Sequence, residues 1–142
     1  MQPDNLILDI EQHIEINAAI GDVFEGLLDH LGAKNTTPDQ QPMPMCLERW
    51  PGGRWFRDLG NNAGHLWGFV QVIKPPALLE LYGPMFMSYP VSGHLRLSLK
   101  EMASKTGLSL RHRALGLIEK EHREGVTHGW QHYLNCIKRD CE

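Results

Sequence analysis

The 142-residue sequence contains no long hydrophobic run. No apolar stretch approaches the roughly 20 residues that cross a bilayer. The first five residues also lack the basic and apolar segments of a signal peptide. We therefore expect a cytoplasmic protein with no membrane insertion.

Cysteine and positive charge are both scarce. The three cysteines, Cys46, Cys136 and Cys141, form no CxxC motif, which is typical of reduced thiols rather than of a disulfide framework. Fourteen Lys and Arg against seventeen Asp and Glu give a net charge of −3, so no global positive field attracts nucleic acid. We expect no nucleic-acid partner.

The motifs of nucleophilic and nucleotide chemistry are also absent, including G-x-S-x-G, the P-loop and G-x-G-x-x-G. His128 and His132 have the i, i+4 spacing that can chelate a metal, but Gly129 stands where a metalloprotease carries Glu. We expect a solvated pair, no metal and no cofactor. Three further histidines at alternating strand positions are expected on exposed faces: His13, His94 and His112.

Alternation of apolar and polar residues predicts a half-buried strand over residues 8–16, whose apolar face is interrupted only by Gln12. A helix follows and ends at Gly32, expected in a left-handed cap. Its apolar stripe comprises Val23, Phe24, Leu27, Leu28 and Leu31. Residues 33–44 have no period and are predicted to be a loop.

Turn signals then recur at short intervals and divide the chain into six strands. These are predicted over residues 45–50, 54–59, 66–73, 78–82, 94–102 and 108–115. A long amphipathic helix over about residues 119–139 follows, with Val126, Trp130, Tyr133, Leu134 and Ile137 on one stripe. Gly125 and Gly129 border that stripe at a cost of about 1 kcal/mol each, so we expect something to approach the helix closely there.

This order predicts an α+β fold in which a curved antiparallel sheet of about seven strands wraps around a long C-terminal helix. Because so broad a sheet exceeds the footprint of one helix, apolar side chains beyond the footprint should border a cleft. We expect the cleft to hold the ligand site.

Three stretches carry a family resemblance. They are Ile14-Glu15-Ile16 with Val23-Phe24; Pro51-Gly52-Gly53-Arg54 leading through Gly68 to Pro75-Pro76-Ala77-Leu78-Leu79; and Gly129-Trp130 with Leu134 and Ile137. In this order the sequence resembles the START-like helix-grip superfamily, in the branch of the C-terminal domain of the activator of the heat-shock protein 90 ATPase. The resemblance implies a single helix-grip domain over residues 1–142. The superfamily includes lipid and polyketide binders, cyclases and co-chaperone domains, so the fold leaves the function open. The full co-chaperone carries a further N-terminal domain that these residues lack, which weakens chaperone stimulation as the expected role.

We expect the cavity to take a small, largely apolar molecule: a lipid, an aromatic or a polyketide-like compound. Its predicted lining is Trp50, Trp55, Phe69, Tyr82, Met85, Met87, His122, Val126, Trp130 and Tyr133. Core packing is the alternative for each large apolar residue. Met85 and Met87 would belong to a flexible lid, and Tyr82, Tyr133 or His122 would orient the ligand.

Two alternatives stay open. One is a cyclase, dehydratase or hydrolase acting on such a ligand, which a buried Glu or His with a strongly shifted pKa would favour. The other is a chaperone-associated or dimerising module, because the strand over residues 66–73 is apolar on both sides. On that strand Trp67, Phe69 and Ile73 are expected to share one face. A homodimer is therefore left open.

Overall fold

The computed structural model of the chain describes residues 6–142, so the expectation about residues 1–5 lies outside the described part. Within it the elements follow the predicted order. They are β1 (Ile7–Ile16), α1 (Ile20–Leu31), β2 (Cys46–Leu47), β3 (Arg54–Gly60), β4 (Ala63–Lys74), β5 (Leu78–Tyr82), β6 (Val91–Met102), β7 (Lys105–Gly116) and α2 (Lys120–Cys141). The strands form one antiparallel sheet in the order β1-β7-β6-β5-β4-β3-β2. The predicted α+β helix-grip architecture is confirmed.

Helix α2 packs its apolar stripe into the fold. The predicted members Val126, Trp130, Tyr133, Leu134 and Ile137 are all buried, in one core with the inward side chains of the sheet. The inward polar residue of β1 also has a partner: Gln12 Nε2 donates to the Thr127 carbonyl of α2 at 3.0 Å. The first strand is thus joined to the helix by packing and by a hydrogen bond.

The end of α1 differs from the predicted left-handed cap. Gly32 has a φ of −105°, and its N–H donates to the carbonyls of Leu28 and Asp29 at 3.0 and 3.1 Å. A Cβ on Gly32 would lie 3.2 Å from the Leu28 oxygen. Close packing, rather than a positive φ, accounts for glycine here.

Strand β2 is shorter than predicted because the chain turns early. Glu48 carboxylate oxygens accept from the Arg54 N–H and guanidinium at 2.8 Å, which lowers the pKa of Glu48 to about 2. The Trp50 N–H donates to the Glu48 carbonyl inside this turn. Trp50 therefore projects into solvent with 56% of its surface exposed.

Strand β4 contains two irregularities that its sequence does not reveal. Trp55 pairs with Gly68 and Phe56 with Leu66, so Trp67 has no partner on β3. On the other edge, Val70 pairs with Leu81 and Val72 with Glu80, so Gln71 has no partner on β5. Each extra residue reverses which side chains face the core, because strand faces alternate with a period of two.

The faces of β4 therefore differ from the prediction that Trp67, Phe69 and Ile73 share one face. Trp67 and Ile73 pack against the core, whereas Phe69 lies beside the half-exposed Tyr82 with ring centroids 5.5 Å apart. The bulge at Trp67 turns Phe69 away from the core, and the irregularity at Gln71 turns Ile73 back towards it. No helix among residues 6–142 is both long and apolar enough to cross a bilayer.

Candidate ligand-binding cavity

A cavity of about 340 Å³ opens between α2 and the sheet. Its wall comprises His122, Gly125, Val126, Gly129, Trp130 and Tyr133 from α2, Trp55, Trp67 and Leu31 from the sheet and α1, and Asn35, Thr36, Thr37, Pro38, Met43 and Phe86 from loops. This volume lies within the range of small-molecule sites, about 300–1,000 Å³. The site is large enough for a compact organic molecule.

Aromatic rings form one connected side of the cavity. Trp55 meets Trp67 edge to face with centroids 5.1 Å apart, and Trp67 meets Phe86 at 5.6 Å. Phe86 in turn lies 6.1 Å from Trp130, which meets Tyr133 at 5.7 Å. The wall therefore offers ring faces and edges, the surfaces that aromatic groups pack against most favourably.

The buried polar atoms of this wall are already used inside the protein. Trp55 Nε1 donates to the Leu31 carbonyl at 2.8 Å, Tyr133 Oη to the Leu27 carbonyl at 3.0 Å, and Trp130 Nε1 to His112 Nδ1 at 2.9 Å. Burial raises the pKa of Tyr133 well above its ordinary value. The Tyr133 hydroxyl, expected to orient a ligand, thus donates to backbone instead.

The two glycines of α2 were expected to mark a close approach, and the structure places open space there. A Cβ at Gly125 or Gly129 would have no atom outside the local helix within 4 Å. Both glycines line the cavity. Contact with another residue therefore does not account for either glycine.

The loop over residues 33–44, predicted without a role, closes one side of the site. Asn35 Nδ2 donates to the Met43 carbonyl at 3.0 Å, and Thr36 Oγ1 lies 2.8 Å from His132 Nε2. His132 is only partly exposed rather than fully solvated, because Thr36 of this loop contacts its ring. Burial is the main cause of its lowered pKa. Its predicted partner His128 is exposed.

The mouth of the cavity carries a polar pair. Tyr89 Oη lies 2.7 Å from His122 Nδ1, and the two rings stack with centroids 5.2 Å apart. Burial raises the pKa of Tyr89. His122 thus joins α2 to the loop that follows β5.

The predicted lining residues divide into two groups. Trp55, His122, Val126, Trp130 and Tyr133 lie in the cavity wall. Trp50, Phe69, Tyr82, Met85 and Met87 do not. Trp50 is displaced by the early turn and Phe69 by the bulge in β4. Tyr82 lies on the outer face of β5, in alternation with the buried Leu79 and Leu81.

The two methionines are also not a lid. Met85 and Met87 are almost completely buried in the core, while Phe86 between them enters the cavity wall. Met85 has a φ of +60°, so the segment is a turn in which neighbouring side chains take opposite directions. Sequence reasoning identified the apolar loop but assigned the wrong side chains to the site.

The prediction that His112 lies on an exposed face is also wrong, because the residue is fully buried. It follows Leu108 and Leu110 at alternating positions of β7, so strand alternation alone placed it on the inner face. Burial, followed by the charge of His94, lowers the pKa of His112 to about 4. Its Nε2 has no hydrogen-bond partner among the described residues. In the same part of the chain, no three His, Cys, Asp or Glu side chains converge as a metal site would require.

Neither a protein-family model nor a curated protein matches this sequence. Several solved structures, however, are similar to this chain in fold. Protein CV1439 from Chromobacterium violaceum has a TM-score of 0.76 at 18% identity, with 94% of this chain and 96% of that chain covered. CalU16 from Micromonospora echinospora has a TM-score of 0.65 at 20% identity, covering 93% and 73%. The di-domain ARO/CYC StfQ from the steffimycin biosynthetic pathway has a TM-score of 0.69 at 15% identity, covering 98% and 52%. At these identities the similarity establishes the helix-grip fold of this chain, and nothing finer.

Proposed function

We propose that the protein binds a small, largely apolar ligand in the cavity beneath α2. The observation that carries the proposal is the pair Gly125 and Gly129. Each costs the helix about 1 kcal/mol relative to alanine. Neither is required by packing, since a Cβ at either position would meet open space, and both residues line the cavity. A requirement for that space accounts for both residues.

The aromatic wall supports an aromatic or polyketide-like ligand over a lipid. Trp55, Trp67, Phe86 and Trp130 present ring surfaces in several orientations, which suit edge-to-face and stacked contacts. Burial of apolar ligand surface would contribute about 25 cal/mol per Å². The similar fold of StfQ, a di-domain ARO/CYC of the steffimycin biosynthetic pathway, supports the same ligand class.

Filling the cavity from the helix tests this proposal. Titration with N-phenyl-1-naphthylamine, whose fluorescence rises in apolar surroundings, should show saturable binding to the wild-type protein. Gly129→Leu should weaken that binding at least tenfold, because its side chain occupies the ligand volume. Gly129→Ala should instead raise the free energy of unfolding by about 1 kcal/mol, since helix propensity improves without a clash.

The matched control is Gly21→Ala in α1. A Cβ at Gly21 also meets nothing within 4 Å, but the residue lies outside the cavity wall. It should leave probe affinity unchanged. Absence of saturable binding to the wild type, or equal affinity in Gly129→Leu, would contradict the proposal. If the probe does bind, native mass spectrometry of protein purified from its own host would identify the natural ligand as the molecule that co-purifies.

A second candidate function is cyclase, dehydratase or hydrolase chemistry on the same class of ligand. The observation that favours it is His112, a buried histidine whose pKa is lowered to about 4. Such a neutral ring can donate a hydrogen bond from its unpaired Nε2 to an oxygen of an apolar substrate and polarise it. Conversion of a bound substrate analogue, lost in His112→Gln with binding retained, would distinguish catalysis from binding alone.

The remaining alternative is a chaperone-associated or self-associating module. Exposed apolar residues on the sheet favour self-association. Leu66 and Tyr82 are about half exposed, and Phe69 lies against Tyr82 on the outer side of the sheet. Sedimentation velocity would detect a homodimer over a concentration series. If this surface forms the dimer, Tyr82→Lys should shift the population to monomer, whereas Trp50→Lys, at an exposed tryptophan elsewhere, should not. A monomer at all concentrations would contradict self-association.

A further inference from the structure

His112 has one nitrogen satisfied and one free, and the satisfied one determines where its proton lies. Trp130 Nε1 can only donate, so His112 Nδ1 must accept in the 2.9 Å bond between them. The neutral ring therefore carries its hydrogen on Nε2. That N–H is buried and has no acceptor among the described residues. A buried donor left without an acceptor is unfavourable, because it has lost its hydrogen bond to water.

The surroundings of Nε2 contain little side-chain bulk. A Cβ on Gly93 of β6 would come 3.4 Å from Nε2, so the nitrogen lies beside a residue that has no side chain. Gly83 is hydrogen-bonded to Gly93, with its N–H 3.0 Å from the Gly93 carbonyl. Ala114 is the β7 partner of Gly93. The free N–H thus lies beside Gly93, whose neighbours in the sheet are themselves small.

Phe86 connects this histidine with the cavity. Its ring lies 6.5 Å from the His112 ring and 6.1 Å from Trp130, and it also forms part of the cavity wall. Phe86 is more than one-third exposed and stands in a turn, whereas Met85 and Met87 on either side are buried. It is therefore the wall residue beside His112 that can move without disturbing the core.

We infer that His112 is the ligand-orienting polar group of this cavity, donating from Nε2 to a neutral acceptor on an aromatic ligand, such as a ketone carbonyl, when Phe86 turns aside. This inference rests on the proposed function. A ketone would satisfy the free N–H, whereas a hydrocarbon of the same shape would leave it unpaired. Sites with a buried donor discriminate strongly against ligands that lack the matching group. A carboxylate fits less well, because its charge would be desolvated beside a neutral ring.

Two matched probes test the inference: 2-acetylnaphthalene, which carries a carbonyl, and 2-isopropylnaphthalene, which has the same shape without an acceptor. Quenching of tryptophan fluorescence should show the ketone binding about tenfold more tightly to the wild type. In His112→Phe the two affinities should become equal. In Phe86→Ala the preference for the ketone should persist, since the donor remains.

A measurement on the wild type keeps the test independent of whether His112→Phe folds. Nitrogen-15 NMR of the imidazole should show His112 protonated at Nε2 and shifted by the ketone but not by the hydrocarbon. Equal affinities with an unmoved Nε2 signal would overturn the inference and leave the binding function intact. If neither probe binds, both the inference and the proposed function are wrong.

Discussion

Replacing Trp130 with alanine is expected to lower the free energy of unfolding by about 4 kcal/mol. Only 5% of this side chain is exposed, and its ring contacts those of Phe86, His112 and Tyr133. The variant loses this packing and enlarges a cavity that neighbouring residues cannot close. It also removes the donor that His112 Nδ1 accepts. Urea unfolding followed by far-UV circular dichroism would measure the change.

Trp50→Ala is the matched control, because it removes the same side chain from an exposed turn. Its effect should stay within about 0.5 kcal/mol. The loss of stability in Trp130→Phe should fall between those of Trp130→Ala and Trp50→Ala. Phenylalanine keeps much of the ring packing but leaves the His112 Nδ1 acceptor unpaired. Equal costs for Trp130→Ala and Trp50→Ala would mean that Trp130 does not join α2 to the sheet.

Acidification is expected to destabilise the protein through His112 by about 3 kcal/mol between pH 7 and pH 4. The pKa of this ring is about 4 in the folded state, against 6.5 ordinarily. Between these values the unfolded chain binds a proton that the folded chain excludes, so stability rises with pH there. The contribution of the neutral ring is complete above pH 6.5 and is lost as the pH falls towards 4. The physical cause is burial, since a charged imidazole would be desolvated.

Comparison with His112→Gln isolates this contribution. Glutamine can still accept from Trp130 Nε1 but does not titrate. The exposed carboxylates with lowered pKa, such as Glu48 and Asp9, are common to both proteins and cancel in the difference. The free energies of unfolding should therefore converge as the pH falls from 7 to 4. Curves that stay parallel would show that His112 is accessible to protons in the folded state.

The prediction of the fold succeeded where local periodicity carries the information. Alternation identified β1 and β6, and the stripe from Val126 to Ile137 identified α2, because each pattern reflects the repeat of a single element. The same rule, applied along β7 from Leu108, would have placed His112 inside. That error came from treating histidine as polar rather than from a missing signal.

The cavity wall could be predicted only in part. Trp55, Val126, Trp130 and Tyr133 lie on faces that periodicity defines, and all four line the site. Alternation with Leu79 and Leu81 on β5 would have placed Tyr82 outside. Phe69 was assigned to the wall because no residue type marks the bulge at Trp67. A bulge depends on how two strands fit together, and neither strand carries that information alone.

What the sequence alone determined about this protein is its set of elements, their order and the apolar faces that must be buried. These follow from backbone geometry repeated over many residues, so chance errors at single positions cancel. What only the tertiary structure decided is the site: the loop over residues 33–44 as a wall, Phe86 rather than the methionines at the cavity, and the free nitrogen of His112. These depend on contacts between segments far apart in the chain, which no local pattern encodes.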